Sequence, residues 1–352
     1  IYRLFEEQVL NRAADIALQD KTRRITYREL NEYACRLAGV LAARRISPGD
    51  IVAVDTSSPV HMAAAILAVI KAGGVFMPFD PAFPNEYNQA LLHHADTEFL
   101  LLHHRWENLR DTFETGNIVF LPETADSLDA PGNNESSPGT VPDNELDNPL
   151  AIFYSSHSSG QPQGVTLSHR GLYQWLAFNP KRLNVDFSST LFVASPRMKM
   201  DFPLWLVNLV SPSGGRVYFH EPSGQQDPGE LADAICSHSV KGVVCSLHFL
   251  HTLDNRRHLD TVFSRNVSHV VTMGEDDFDP LALKAFLKEK EIKWFNYFGF
   301  PLFNMITTLV KQDSNADAGF KHIGKPGTGT KAFILNPAKR EVAIGLPGEL
   351  YV

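Results

Sequence analysis

Short apolar runs alternate with helix-length segments along most of the chain, and this alternation limits the possible folds more than any other feature. Thr26 and Glu29 form a capping-box pattern before apolar residues at helical spacing, which predicts an amphipathic helix over residues 27–44. Strands are predicted at Asp50 to Asp55 and at Val75 to Phe79, on either side of a second helix that ends at a Gly-Gly pair. This part of the chain is therefore predicted to form a strand-helix-strand unit.

The same alternation continues through the following residues. Further elements are predicted as a helix at Tyr87 to His94 and strands at Glu98 to Leu102, Asn117 to Leu121, Leu191 to Ser195, Gly242 to Ser246, Ser268 to Thr272 and Lys293 to Phe298. These are more strands than one small sheet would hold. We therefore predict an α/β fold of two sheet subdomains, in which helices cover mainly parallel sheets.

Changes in composition divide the chain into three predicted parts. Residues 123–148 are rich in Asp, Asn, Ser, Pro and Gly, which is typical of an exposed loop. We expect a first α/β subdomain at 1–148, a second at 149–315 and a small β subdomain at 316–352 that begins as the chain stops.

Charge and cysteine content exclude several classes of partner. A net charge of -8 over 352 residues disfavours nucleic acids and anionic membranes as partners, because both require a basic surface. The three cysteines lie far apart without metal-binding spacing, which suits free thiols in a reducing compartment. We therefore expect a cytoplasmic protein with small-molecule or protein partners.

The segment Tyr154 to Val165, with the sequence YSSHSSGQPQGV, has the small side chains of a phosphate-binding loop. It follows an apolar strand-like run, and small residues let backbone N–H groups approach an anion. The residues assigned to this loop are Ser155, Ser156, His157, Ser158, Ser159, Gly160 and Gly164. Gln161 and Gln163 stand where such a loop normally carries a lysine, so hydrogen bonding is retained and positive charge is missing.

Together with this loop, five further segments resemble consecutive core motifs of adenylate-forming enzymes, most closely the adenylation domains of nonribosomal peptide synthetases. They are ITYREL at 25–30, IKAGGVFMPFDPAFP at 70–84, GGRVYF at 214–219, NYFGF at 296–300 and IGLPGELYV at 344–352. The resemblance implies two α/β sheet subdomains, a small β-barrel and a mobile C-terminal lid. This chain stops before the lid. It also implies a reaction that joins a carboxylate to ATP with Mg2+ and then loads a carrier-protein thiol.

The loop departs from the family pattern, which is roughly TSGSTGKPKG. His157 replaces a glycine, and its side chain should obstruct a positive φ or a close approach of the backbone. Gln161 and Gln163 replace the two lysines. The alternative for His157 is a protonated imidazole that serves as a replacement phosphate ligand.

A second departure lies where the family carries YGPTE, whose Thr contacts phosphate and whose Glu helps to hold Mg2+. This chain has Pro301 and Leu302 at those last positions, and no Asp or Glu lies between residues 296 and 310. A shift of register does not restore the ligand, because Mg2+ needs hard oxygen donors. The resemblance therefore leaves Gln163, Pro301 and Leu302 as degenerate positions, and we assign no catalytic residue.

The resemblance also assigns an adenine region and an acyl pocket. The adenine region contains Gly274, Glu275, Phe298 and Gly299, with a methionine in place of one family glycine. The acyl pocket contains Asp201, Phe202, Trp205, Tyr297, Met305 and Ile306. Asp201 matches the acid that pairs with an amino acid's α-ammonium, and the alternative is that it caps a helix beginning near Pro203.

No metal site is predicted from the sequence. The adjacent pairs His93–His94 and His103–His104 are the candidates, but neighbouring side chains on a helix diverge and the second pair follows a predicted strand.

We therefore predict a catalytically inactive adenylation-like domain that serves as a scaffold or docking platform for condensation and carrier-protein domains of a peptide synthetase. No cofactor is expected in that case. The first alternative is an active amino-acid-activating ligase that uses ATP and Mg2+. The second is a sensor that binds a nucleotide or an acyl ligand without turnover, as the retained Gly160, Gly164 and Asp201 would allow.

Overall fold

The computed structural model describes most of the chain in fifteen stretches. They are residues 1–113, 116–128, 146–155, 163–174, 190–194, 202–210, 214–220, 228–246, 249–250, 253, 259–263, 266–273, 281–298, 308–309 and 331–351.

The described elements alternate between helix and strand as predicted. The helices are α1 Tyr2–Arg12, α2 Tyr27–Ala43, α3 Pro59–Lys71, α4 Asn85–His94, α5 Phe202–Val210, α6 Pro228–Ser237, α7 Leu259–Val262 and α8 Leu281–Glu289. The strands are β1 Ile16–Gln19, β2 Arg24–Thr26, β3 Ile51–Asp55, β4 Val75–Phe79, β5 Phe99–His103, β6 Asn117–Leu121, β7 Pro149–Ser155, β8 Gln163–Ser168, β9 Thr190–Ala194, β10 Arg216–His220, β11 Val240–Ser246, β12 His269–Met273, β13 Lys293–Phe298, β14 Thr308–Leu309, β15 Phe333–Leu335 and β16 Glu349–Tyr351.

Two hydrogen bonds confirm the predicted start of α2. The backbone N–H of Glu29 donates to Thr26 Oγ1 at 3.2 Å, and the Thr26 N–H donates to Glu29 Oε2 at 2.8 Å. The two bonds satisfy donors that a helix start leaves open, which stabilises the helix by about 1 kcal/mol. The helix then buries Leu30, Leu37 and Leu41 on one face.

A six-stranded sheet in the order β6-β5-β3-β4-β7-β8 forms the first layer. Every pair in it is parallel except β7 with β8, which is antiparallel. Residues 59–70 of α3 are all buried, so this helix packs inside the molecule on every side.

An eight-stranded sheet in the order β14-β13-β12-β11-β9-β10-β1-β2 forms the second layer. β1 pairs in parallel with β10, about two hundred residues further along the chain, while β7 pairs with β4 of the first sheet. Strands therefore cross the predicted division at residue 148 in both directions, and that division stays a prediction. The predicted α/β class with more than one sheet is confirmed.

One continuous apolar core joins the two sheets. It includes Leu18, Val54, Phe76, Trp205 and Phe219, which come from elements of both sheets. β15 and β16 form a separate antiparallel pair near the end of the chain. Among the described helices, none combines the length and the apolar character needed to cross a bilayer.

Candidate functional site

The predicted phosphate loop connects two antiparallel strands. Ser155 at the end of β7 pairs with Gln163 at the start of β8, and Tyr154 pairs with Gly164. Both ends of the loop are therefore held side by side. The intervening positions, which include Ser156, His157, Ser158, Ser159 and Gly160, lie outside the described residues.

The sheet places these loop ends at its carboxyl edge. β7 runs parallel to β4 with Ala151 opposite Phe76, and β4 runs parallel to β3. In open α/β sheets, ligands bind outside the carboxyl ends of the strands. The topology therefore puts the loop where a nucleotide phosphate is expected.

Gly164 packs against the ring of Tyr154. A Cβ added at Gly164 would lie 3.0 Å from the Tyr154 Cζ atom. Burial raises the pKa of Tyr154, and its hydroxyl oxygen lies 3.1 Å from His94 Nδ1 on α4. The described contact of Gly164 is thus with Tyr154, so the glycine has a packing role at the base of the loop. The contact between Tyr154 and His94 is not predicted from the sequence, because the two residues lie far apart in the chain. The alternation of buried and half-buried residues at 151–154 is the one local signal that sets Tyr154 on the partly exposed face of β7.

Gln163 is exposed at the first position of β8. Its carboxamide donates hydrogen bonds but carries no charge. The sequence from residue 154 to residue 165 contains no lysine or arginine. The loop therefore has no permanent cation of its own for a phosphate.

The adenine-region residues belong to two neighbouring strand ends. β12 and β13 are parallel neighbours with Met273 opposite Tyr297. Gly274 and Glu275 follow β12 in sequence, and Gly299 follows β13. These three residues lie outside the described residues.

Trp205 is the residue of the predicted acyl pocket whose side chain the structure describes, and it lies in the core. Trp205 on α5 is fully buried, and its ring lies perpendicular to that of Phe219 with centroids 5.9 Å apart. These are the contacts of a core side chain, and its place in an acyl pocket stays a prediction.

The backbones of Phe202, Tyr297 and Phe298 belong to α5 and β13. α5 begins at Phe202, directly after Asp201 in the sequence, so both alternatives for Asp201 stay open. The remaining site predictions, which are Asp201, Pro301, Leu302, Met305 and Ile306, lie outside the described residues.

Comparison with known proteins identifies the family. The model of the AMP-binding enzyme family matches residues 5–352. Gramicidin S synthase 2 of Brevibacillus brevis is 28% identical over 354 aligned residues that include the whole chain. The resemblance to adenylate-forming enzymes that the sequence predicts is confirmed.

Solved structures share the fold over nearly the whole chain. The N-terminal subdomain of NpsA from Klebsiella oxytoca has a TM-score of 0.78 at 23% identity, covering 99% of this chain and 86% of that one. An artificially fused adenylation–PCP di-domain, NpsA-ThdA, has a TM-score of 0.77 at 23% identity and covers 99% of this chain and 68% of that one. The chain spans only 8% of the length of gramicidin S synthase 2.

Proposed function

The chain belongs to the AMP-binding enzyme family, and on this premise we propose that it is an adenylation-like domain of a peptide synthetase that does not activate an acid. In this role the domain is a docking platform for the neighbouring condensation and carrier-protein domains. The proposal rests on one observation: the framework of the phosphate site is retained while its charge is lost.

The retained framework is the β7–β8 hairpin at the carboxyl edge of the first sheet. Ser155 and Gln163 hold the loop ends in register, as a phosphate loop requires. The lost charge is that of the two family lysines, at Gln161 and Gln163. A charge-assisted hydrogen bond contributes about 1.5–3 kcal/mol against about 1 kcal/mol for a neutral one, so each replacement weakens the binding of a triphosphate.

The proposal also concerns the position at which the family binds Mg2+. AMP-binding enzymes use ATP and Mg2+, and the resemblance puts Leu302 at the position of the Mg2+-binding glutamate. A leucine offers no oxygen ligand. The uncharged Gln163 and the apolar Leu302 together do not fit a magnesium-bound triphosphate, and we assign no step of catalysis to either group.

The docking role is supported by the integrity of the fold. The apolar core joins both sheets, so the domain retains a well-packed structure without a functional nucleotide site. NpsA-ThdA is a fused adenylation–PCP di-domain, which makes a carrier-protein domain a suitable neighbour for this chain as well. We place the domain in the cytoplasm, because its three cysteines are free thiols.

Two other functions remain as alternatives to the platform. The sensor is favoured by the register at Gly164, which holds the two loop ends side by side. The active ligase requires a cation and a metal ligand from residues that the family pattern does not use.

Pyrophosphate exchange in the full-length parent synthetase distinguishes these functions. The platform and the sensor predict that amino-acid-dependent exchange by the parent is unchanged when this domain's loop 156–162 is deleted. The sensor alone predicts saturable nucleotide binding without exchange. If deletion of loop 156–162 abolished amino-acid-dependent exchange, that exchange would belong to this domain and the proposal would be contradicted.

A further inference from the structure

A second polar cluster lies at the carboxyl edge of the same six-stranded sheet, away from the phosphate loop. β3 and β5 are parallel neighbours, and the chain leaves them in opposite directions, from β3 to β4 and from β5 to β6. Such a reversal opens a crevice at the carboxyl ends of the two strands, which is the usual ligand position in open α/β sheets. Asp55 ends β3 and His103 ends β5 at this crevice.

Two buried histidines and one exposed carboxylate meet there. His61 in the first turn of α3 is 3% exposed, His103 is 7% exposed, and their ring centroids are 4.5 Å apart. Glu123, two residues after β6, lies with Oε1 3.7 Å from His103 Nε2. One ligand atom from each of these three residues lies within 4.8 Å of the other two. We call His61, His103 and Glu123 the histidine cluster.

A third histidine adjoins the histidine cluster. The His104 ring centroid is 4.3 Å from that of His103, and its Nε2 also lies 3.7 Å from Glu123 Oε1. His104 is exposed, so it stands on the solvent side of the crevice. It can supply a fourth donor.

Neighbouring groups hold the two buried histidines in place. Ser58 Oγ lies 2.7 Å from His61 Nδ1, and a proton on that nitrogen leaves Nε2 with a free lone pair. The Asp55 carboxylate accepts the backbone N–H of His103 at 2.9 Å and fixes the end of β5.

Arg23 competes for the same position. Its Nη1 lies 3.0 Å from His61 Nε2 and 3.8 Å from Glu123 Oε2. His61 Nε2 also lies 3.1 Å from the Pro122 carbonyl oxygen, to which it donates when it carries the proton. The backbone N–H of Arg105 donates to His103 Nδ1 at 3.3 Å, and this long bond must break if Nε2 is to bind a metal. A cation therefore displaces Arg23, and its binding through Nε2 requires the proton of each ring to lie on Nδ1.

We propose that the histidine cluster is a divalent transition-metal site, suited to Zn2+, in which the metal replaces the Arg23 guanidinium. Two imidazole nitrogens and one carboxylate oxygen are a donor set that Zn2+ accepts, with His104 or water completing a tetrahedron. The sequence prediction of no metal site considered only adjacent histidine pairs. The proposed ligands instead come from α3, from the end of β5 and from the segment after β6, which the topology brings together.

Titration of Zn2+ into the tag-free 352-residue chain tests the proposal, with Co2+ absorption in the visible range as a second readout of coordination geometry. We expect one saturable Zn2+ per chain and a tetrahedral Co2+ spectrum. Glu123→Gln removes the exposed carboxylate and should weaken the affinity by about 10-fold or more. Arg23→Gln removes the competing charge and should tighten it by about 10-fold.

His93→Gln is the matched control, because His93 is an exposed histidine on α4 outside the histidine cluster. Its affinity for Zn2+ should equal that of the unaltered chain. Circular dichroism of each variant checks that the fold is kept. Absence of saturable binding, equal affinities for the unaltered chain and Glu123→Gln, or weaker binding by Arg23→Gln would each overturn the proposal.

Discussion

Two regions of the same sheet edge differ sharply in charge. At the carboxyl ends of β3 and β5, the histidine cluster gathers around Arg23 and Asp55 in a crevice with several ionisable groups. At the carboxyl end of β7, the segment 154–165 contains no Lys, Arg, Asp or Glu. One sheet thus supports a charged crevice and an uncharged loop a few strands apart. The framework of this fold therefore does not depend on the charges of its phosphate site.

The framework is independent of these charges because its stability comes from apolar burial. Residues 59–70 of α3 are buried, and Phe76 on β4 is fully buried beside it in the core that joins both sheets. Apolar burial contributes about 25 cal/mol per Å² and does not depend on the loops at the strand ends. Loop residues can therefore change their chemistry while the sheet that holds them is preserved.

Acid should disrupt the charged region first, and this is the largest expected effect. The pKa of His61 is about 3 and that of His103 about 4 in the folded chain, below the usual 6.5, because burial and the neighbouring Arg23, His104 and Arg105 disfavour the charged rings. The stability from keeping them neutral is present above pH 6.5 and is lost as the pH falls toward the folded values. The free energy of unfolding should fall by roughly 6 kcal/mol from pH 7 to pH 4, about 3 kcal/mol for each ring, in urea denaturation with a chelator present.

His61→Gln should remove about half of that pH dependence, because glutamine does not titrate while His103 still does. Glu123, on the exposed side, opposes the effect by favouring the charged form of His103. The matched exposed variant His93→Gln should keep the full pH dependence. Parallel curves for the unaltered chain and His61→Gln would show that the histidine cluster does not control acid stability.

Returning charge to the uncharged region should create a triphosphate site. The double variant Gln161→Lys with Gln163→Lys restores the two family cations, and the second of them lies at the start of β8, where Gln163 is paired with Ser155. Its affinity for MgATP should rise by at least about 10-fold over the unaltered chain, as measured by calorimetry. The control is Gln161→Met with Gln163→Met, which keeps the side-chain length without charge. Equal affinities of the two double variants would show that the missing lysines are not what limits binding.

A packing change at the loop base should have the smallest effect. Gly164→Ala puts a methyl group 3.0 Å from the Tyr154 ring, which must then move relative to His94. The expected cost is about 1 kcal/mol in the free energy of unfolding. Gly116→Ala is the control, because a Cβ there meets no atom within 4 Å. If both variants had the same stability, the packing role of Gly164 would be disproved.

Local patterns made much of the framework predictable from the sequence. The capping box at Thr26 and the bounds of β4, β6 and β13 follow from residues close together in the chain. α1, β1 and β2 are not predicted from the sequence. β1 is only four residues long and is paired with β10 far along the chain. No local pattern reports such a distant pairing.

The two sites also differ in how far they can be predicted from local sequence patterns. The loop at 154–165 is contiguous, so its glycines and missing lysines are visible in the sequence. The histidine cluster comes from three separate segments of the chain. Only the folded structure brings His61 on α3 next to His103 at the end of β5. His103 and His104 also converge on Glu123, against the expected divergence of neighbours, because a 3-10 turn begins at His104 directly after β5.

The most direct test of the central claim is a calorimetric titration of MgATP into the unaltered chain. If a retained loop framework without positive charge cannot hold a triphosphate, no saturable heat should appear at concentrations at which active AMP-binding enzymes are saturated. Saturable binding of one MgATP per chain would show instead that the loop holds a triphosphate without a lysine.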